Sequence, residues 1–167
     1  MRAEYFRAES SHRKILLVGV DLVSKFHSVP PDIHCLRLEA ASLSIWRPKQ
    51  KFDLITCVHG LHYVGDKLGI LQNAAQWLKE GGRFLAHLDY NNLRLKNGSA
   101  RARIGKYLGN AGFEYNASRH LLSCEGPRHL SLAYRYLGAD DTAGPNYTGQ
   151  AAVNSFYEMS PQKRQVN

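Results

Sequence analysis

The sequence lacks any apolar run near the roughly 18 residues that a membrane-spanning helix requires. Its first 14 residues mix acids and bases and contain no apolar core of the kind that a secretory signal peptide has. These two absences argue against a membrane partner and against secretion. We therefore expect a soluble protein in the cytoplasm.

Cysteine is scarce, since the chain has only Cys35, Cys57 and Cys124, which are odd in number and far apart. All three lie in strand-like apolar segments, which is typical of buried free thiols in a reducing compartment. No two cysteines have the spacing of zinc ligands, and the pair His59 and His62 has no further ligand within reach by sequence. The sequence predicts no disulfide framework and no metal site.

Acidic residues are also few: 14 Asp and Glu against 22 Lys and Arg give a net charge of +8. This excess favours anionic partners, nucleic acid among them, although solubility alone explains it equally well. One stretch carries five bases without an acid, namely Arg94, Lys96, Arg101, Arg103 and Lys106. Nucleic-acid contact is one interpretation of this stretch, and a solvated helix face is the commoner one.

What the sequence does contain is a strand–helix–strand unit at residues 51–90. Phe52–Val58 is a short apolar run, typical of a strand buried on both faces. Asp66 can cap the helix that follows, and Gly81 can take the left-handed conformation that ends it. With Arg83–Leu88 as the next strand, the unit is predicted to be a parallel βαβ unit, whose ligands bind beyond the carboxyl ends of the strands.

Two further apolar runs precede this unit, Lys14–Leu22 and His34–Ala40, and both are typical of parallel strands. After the unit, Ser99 can cap a second helix, which Gly112 ends. This order of elements alternates strands with helices, as in domains whose helices cover a parallel sheet.

The chain is expected to close with two strands, Phe113–Cys124 and His129–Leu137, whose spacing suggests an antiparallel hairpin. The predicted fold class is α/β: a three-layer, Rossmann-like, mostly parallel sheet with an antiparallel C-terminal hairpin. We assign residues 1–138 to this domain and residues 139–167, rich in Gly, Pro, Asn and Ser, to a C-terminal loop and tail.

Two motifs stand in order within the strand–helix–strand unit: FDLITCVHGLHYVGD, and then QWLKEGGRFLAHL. Together they resemble the fourth-strand motif and the Leu-Lys-x-Gly-Gly turn of class I S-adenosylmethionine-dependent methyltransferases. The resemblance extends over residues 14–137. It implies transfer of a methyl group from S-adenosylmethionine to an acceptor, for which a small molecule is our leading expectation.

The resemblance also implies a cofactor site at the strand ends. Its expected residues are Asp21, Glu39, Ala40, Cys57, Val58 and His59. Asp21 stands where the family binds the ribose hydroxyls, with a turn cap or a solvated loop acid as the alternative. Glu39 stands where the family binds the adenine amine, with a solvated carboxylate as the alternative. Positioning can supply much of the catalysis of methyl transfer, so we assign no general base; His59 is the best candidate for one.

One part of the family pattern is missing. No Gly-x-Gly-x-Gly loop precedes the Lys14–Leu22 strand, and the 13 residues before it contain no glycine. In the family that loop lets the backbone approach the cofactor closely. We therefore expect an N-terminally truncated chain that lacks the usual first strand and binds the cofactor weakly or not at all by itself.

Two other functions remain open beside the leading one. The chain can be a non-catalytic, methyltransferase-like subunit that binds a partner, or a second copy of itself, through an unpaired strand edge. It can also be an RNA-directed methyltransferase, although it contains no Asp/Asn-Pro-Pro-Tyr sequence. A dinucleotide oxidoreductase is disfavoured, because no Gly-x-Gly-x-x-Gly follows any strand.

Overall fold

A computed structural model describes residues 15–96, 100–131, 133–142 and 144–160. The chain divides into two compact units, residues 1–47 and 48–167. No helix among the described residues is long and apolar enough to cross a membrane. The predicted cap at Ser99 lies outside the described residues.

The first unit contains a two-stranded parallel sheet. Strand β1 spans Leu17–Asp21 and strand β2 spans Leu36–Ala40, within the two apolar runs that predicted them. Gly19 on β1 packs closely against β2, since a Cβ at this position would lie 2.8 Å from Cδ2 of Leu38 and would require the Leu38 side chain to move. The two predicted strands and their parallel direction are confirmed.

The second unit begins with the predicted βαβ unit. Strand β3 spans Phe52–Cys57, helix α1 spans Lys67–Gln76 and strand β4 spans Leu78–His87, and β3 and β4 are parallel. Asp66 caps the helix as predicted, since its Oδ1 accepts a hydrogen bond from the Gly69 backbone N–H at 3.0 Å. Helix α1 packs through its apolar positions, which are buried as the helical spacing indicates.

The turn after this helix differs from the prediction. Gly81 has a positive φ of +71°, as expected, but it lies inside β4, and the helix has already ended at Gln76. The register between β3 and β4 shifts here, between the pair Phe52–Leu78 and the next pair. Gly81 therefore accommodates an irregularity of the strand and does not end the helix.

The remaining elements build two sheets. They are β5 (Leu93–Leu95), α2 (Ala100–Asn110), β6 (Glu114–Asn116), β7 (Leu121–Glu125), β8 (Tyr134–Asp140) and β9 (Asn154–Met159). One sheet has the order β3-β4-β7-β6 and the other the order β5-β9-β8. The pairs β3–β4 and β5–β9 are parallel, and the pairs β4–β7, β6–β7 and β8–β9 are antiparallel. The α/β class is confirmed, and β3 is an edge strand of its sheet in the described part of the chain.

The predicted hairpin is wrong in its partners. The run Phe113–Cys124 divides into β6 and β7, which pair with each other, because four turn residues ending at His120 interrupt it. The run His129–Leu137 supplies β8 from Tyr134 onward, and β8 pairs with β9 in the other sheet. Alternation of side chains in the second run indicates a strand, which forms from Tyr134 onward, but alternation carries no information about which strand it joins.

The expectation of loop and tail structure from residue 139 onward is also wrong where β9 forms. Strand β8 crosses the predicted boundary after residue 138, and β9 lies between β5 and β8. The physical reason is burial: the Tyr157 side chain is 1% exposed, and its hydroxyl oxygen accepts a hydrogen bond from the Leu68 N–H at 3.1 Å. Tertiary packing outweighs the turn-forming composition around this strand.

Lys67 joins the start of α1 to the C-terminal segment. Its side chain is 1% exposed, and burial lowers its pKa to about 8. The Nζ atom donates hydrogen bonds to the carbonyl of Val64 at 2.8 Å, the carbonyl of Val153 at 2.7 Å and the hydroxyl of Ser155 at 2.9 Å. The three donors of one ammonium group thus hold two chain segments that are far apart in sequence.

We predict that Lys67→Met lowers the free energy of unfolding by about 2–3 kcal/mol, because one buried and two partly buried oxygens lose their donor. Urea denaturation followed by circular dichroism measures this change. The control is Lys79→Met, which removes an exposed ion pair to Asp53 of 2.8 Å and should cost less than about 1 kcal/mol. Equal midpoints for the two variants would contradict a structural role for Lys67.

Candidate functional site

In the first unit, the register of the parallel sheet brings the predicted cofactor residues to one edge. Asp21 is the last residue of β1 and lies opposite Ala40, the last residue of β2, while Val20 lies opposite Glu39. Because parallel strands end at the same edge, Asp21, Glu39 and Ala40 lie together at the carboxyl end of this sheet. All three residues are exposed there.

Each of the two carboxylates already has one internal partner. Oδ1 of Asp21 accepts a hydrogen bond from the Val23 N–H at 2.9 Å, so Asp21 does cap a turn. Oε2 of Glu39 accepts a hydrogen bond from the indole N–H of Trp46 at 2.7 Å. Within the described part of the chain, the second oxygen of each carboxylate has no donor. One oxygen of each therefore fits a hydroxyl or amine group of a ligand.

In the second unit, the ends of β3 and β4 also lie at one edge. Cys57 is the last residue of β3 and pairs with Ala86, and His87 is the last residue of β4. The His59 ring stacks on the His87 ring with centroids 4.6 Å apart and an interplanar angle of 19°. The His62 ring lies 5.7 Å from the His59 ring. The predicted residue His59 is thus joined to a histidine on the neighbouring strand.

The chain makes a tight turn where it leaves β3. His59 has a φ of +59°, in the left-handed region that residues other than glycine seldom adopt. The next residue, Gly60, packs closely against Cys57, since a Cβ on Gly60 would lie 2.8 Å from Sγ of Cys57 and would require that side chain to move. Backbone conformations of this kind cost free energy and are common at functional sites. Burial raises the pKa of the Cys57 thiol, which favours its neutral form.

A second group of rings lies beside these histidines. The His120 ring stacks on the Tyr147 ring with centroids 3.9 Å apart, and the Tyr147 ring meets the His62 ring edge-on at 5.5 Å. His120 has a φ of +50°, so it shares the left-handed conformation of His59. We call the five residues His59, His62, His87, His120 and Tyr147 the histidine cluster.

Several ring nitrogens of the cluster are buried without a hydrogen-bond partner among the described residues. They are Nδ1 of His59, both ring nitrogens of His62 and Nδ1 of His87. Burial, followed by the neighbouring His59, lowers the pKa of His62 to about 4, and burial also lowers the pKa of His87. Both histidines are therefore neutral at pH 7, and such nitrogens can accept a proton or a hydrogen bond.

The cluster does not have the geometry of a metal centre. No group of three or more His, Cys, Asp or Glu side chains in the described residues is arranged to hold a metal ion. Stacked rings face one another, whereas ligands of one ion direct their nitrogens to a common point. Of the five rings, that of Tyr147 is 40% exposed and can contact an organic molecule, whereas His62 is fully buried.

The sequence singled out only part of this site. Cys57, Val58 and His59 lie at the end of β3 as expected, although their roles stay predictions. His87, His120 and Tyr147 were missed. A signal existed for His87, since it lies near the end of a predicted strand. His120 was missed because it lies within the predicted strand Phe113–Cys124. Tyr147 was missed because it lies within the predicted C-terminal loop.

The sequence pattern of a methyltransferase domain family matches residues 4–131 of the 167-residue chain. The chain belongs to this family. No curated protein matches it. The two motifs within residues 51–90 resembled those of methyltransferases, and this resemblance is confirmed by a family match that covers more than half of the chain.

Solved structures similar to this methyltransferase domain are distant. The N-methyltransferase NodS from Bradyrhizobium japonicum WM9 is 14% identical, with a TM-score of 0.42 over 67% of this chain and 74% of that chain. A second NodS structure, in complex with S-adenosyl-L-homocysteine, has a TM-score of 0.43 over 67% of each chain. The YcgJ protein from Bacillus subtilis is 16% identical, with a TM-score of 0.39 over 93% of this chain and 84% of that chain. The family assignment rests on the family match alone.

We predict that the buried, neutral His62 makes stability depend on pH. Its pKa of about 4 in the folded chain lies below the 6.5 of an unfolded histidine, so the unfolded chain binds more protons between these values. The free energy of unfolding should be largest above pH 6.5 and should fall by about 2–3 kcal/mol as the pH drops to 4.

The test compares urea midpoints at pH 7.5, 6, 5 and 4 for the wild type and for His62→Phe, which keeps a ring but cannot titrate. The variant should lose the part of the pH dependence that is due to His62. His34→Gln, at an exposed histidine, is the control and should follow the wild type. A His62→Phe curve parallel to the wild-type curve would contradict the buried, neutral state.

Proposed function

We propose that this chain is an S-adenosylmethionine-dependent methyltransferase that acts on a small-molecule acceptor. One observation carries the proposal: a member of a methyltransferase family has stacked histidines with unpaired nitrogens at the carboxyl ends of two parallel strands. In open α/β sheets this edge is where ligands bind.

In the first unit, the residues proposed to bind the cofactor are Asp21, Glu39 and Ala40. In the second unit, Cys57, Val58 and His59 are proposed for this role. The second oxygen of Asp21 suits the two ribose hydroxyls, and the second oxygen of Glu39 suits the adenine amine. The hydrogen bond from Trp46 fixes the orientation of the Glu39 carboxylate, which lowers the entropy lost on binding. The cofactor would supply a methyl group on a positively charged sulfur.

The residues proposed to serve the acceptor belong to the histidine cluster. His59 is the candidate general base; its Nδ1 is buried, so its other ring nitrogen, Nε2, is the atom proposed to take a proton from an acceptor. The flat stack of His120 and Tyr147 suits orientation of the acceptor. Orientation matters most here, since displacement at a methyl group requires the two reacting atoms to be in line.

We predict weak cofactor binding, because the sequence has no Gly-x-Gly-x-Gly loop. Titration calorimetry with S-adenosyl-L-homocysteine should give a Kd near the millimolar range, about −4 kcal/mol. Asp21→Asn should weaken binding about tenfold, because a charged acceptor is lost. Asp53→Asn, at an exposed carboxylate that pairs with Lys79, is the matched control and should bind as the wild type does.

A micromolar Kd would contradict the expectation of weak binding. Equal affinities for Asp21→Asn and Asp53→Asn would contradict the role of Asp21. If no binding is seen at millimolar cofactor, the proposed activity fails, and a non-catalytic partner subunit is the better interpretation.

We predict that the acceptor is a small molecule. The protein is incubated with S-adenosylmethionine that is labelled in the methyl group. One reaction also contains the small-molecule fraction of a cell extract, and a second reaction contains its RNA fraction. Label should enter the small-molecule fraction, and His59→Gln should slow transfer about 100-fold or more if His59 is the base. His34→Gln is the control.

Ribonuclease-sensitive label in the RNA fraction would instead support the RNA-directed alternative, which the exposed bases of α2 allow. That alternative further requires RNA binding that weakens steeply as salt is raised. Transfer by His59→Gln at the wild-type rate would show that positioning alone supplies the catalysis.

A further inference from the structure

A cavity of about 280 Å³ lies along helix α2, apart from the residues proposed to hold the cofactor. Gly105 and Gly109 line it from the helix, and Phe113 and Leu122 line it from the sheet side. Small-molecule sites in proteins usually measure about 300–1,000 Å³, and this cavity lies just below that range, which suits a ligand no larger than a single substituted ring. Gly105 matters most, because a Cβ at this position would come into contact with the Tyr90 side chain.

The cavity has an aromatic wall with one free hydroxyl. The rings of Tyr90 and Tyr115 meet edge to face with centroids 4.6 Å apart. The Tyr115 hydroxyl donates to the carbonyl of Leu88 at 3.0 Å, whereas the Tyr90 hydroxyl has no hydrogen-bond partner among the described residues. A Cβ on Gly105 would lie 3.7 Å from the Tyr90 hydroxyl oxygen. The glycine therefore leaves the space beside this hydroxyl open.

Arg101 adds a positive charge to the same cavity. Its side chain lines the cavity, and it forms no ion pair or hydrogen bond within the described part of the chain. Helix α2 contains no acidic residue that could neutralise it. Burial raises the pKa of Tyr90 to about 12 and also raises the pKa of Tyr115, and the charge of the nearby Arg101 offsets part of each shift.

We propose that this cavity binds a small aromatic carboxylate. The apolar and aromatic walls suit a planar ring, since aromatic rings pack favourably edge to face. The carboxylate suits Arg101, whose planar fork binds carboxylates through two parallel hydrogen bonds, and the Tyr90 hydroxyl supplies a further donor. Inorganic anions fit less well, because most of the wall is apolar. This ligand site does not depend on the proposed methyl transfer.

The probe for the test is benzoate, and benzamide is its uncharged control of the same shape. Titration of the full chain, followed by changes in its NMR spectrum, should show saturable binding of benzoate. Benzamide should bind at least tenfold more weakly, because it lacks the charge that pairs with Arg101. No saturable benzoate binding, or equal affinities for the two molecules, would overturn the proposal.

Two variants localise the binding. Arg101→Gln should weaken benzoate binding at least tenfold, and Gly105→Leu should abolish it by filling the cavity. Leucine favours a helix more than glycine does, so loss of binding in this variant is not expected to reflect unfolding, which circular dichroism checks. Lys106→Gln, with the same charge change on the same helix but outside the cavity, should bind as the wild type does. Benzoate binding unchanged in Arg101→Gln and Gly105→Leu would overturn the proposal.

Discussion

The parallel pairing of β3 with β4 is the constraint on which the candidate site depends. Cys57 pairs with Ala86, so the two strands end at the same edge, and this brings His59 and His87 into a stack. Side chains alternate along a strand, so a slip of one residue would turn His87 to the opposite face of the sheet. The irregularity at Gly81 lies before this stretch, where β4 can absorb it without disturbing the strand ends.

The site carries features that oppose stability, and packing of the C-terminal segment offsets them. His59 and His120 have left-handed backbones, and His62 is buried with unpaired nitrogens. The segment before β9 holds this region in place: the Val153 N–H donates to the His62 carbonyl at 2.8 Å, and the Val153 carbonyl accepts from Lys67. The buried ammonium group of Lys67 thus fixes the backbone at Val153, which is hydrogen-bonded to the backbone of His62 in the histidine cluster.

Local features were predictable from the sequence, and the choice of partners was not. Strand β3 and the cap at Asp66 have short-range signals, so both were located correctly; the expected burial of β3 on both faces was wrong, since Leu54 is 48% exposed. Strand β9 and the pairing of β8 depend on burial of Tyr157 against α1, which no local pattern encodes. The same limit applies to the site, since His59 lies at a recognisable strand end, whereas Tyr147 reaches the cluster only through tertiary packing.

Tyr115 connects the histidine cluster to the cavity beside α2. Its ring forms part of the cavity wall, and its hydroxyl lies 3.3 Å from Nδ1 of His120, whose ring stacks on Tyr147. A ligand that displaced the Tyr115 ring would therefore change the hydrogen bonding and the position of His120. Because such coupling between two binding equilibria is reciprocal, an acceptor bound at the cluster would change the affinity of the cavity by the same factor. The wall of the cavity and the histidine cluster are thus in direct contact through Tyr115 and His120.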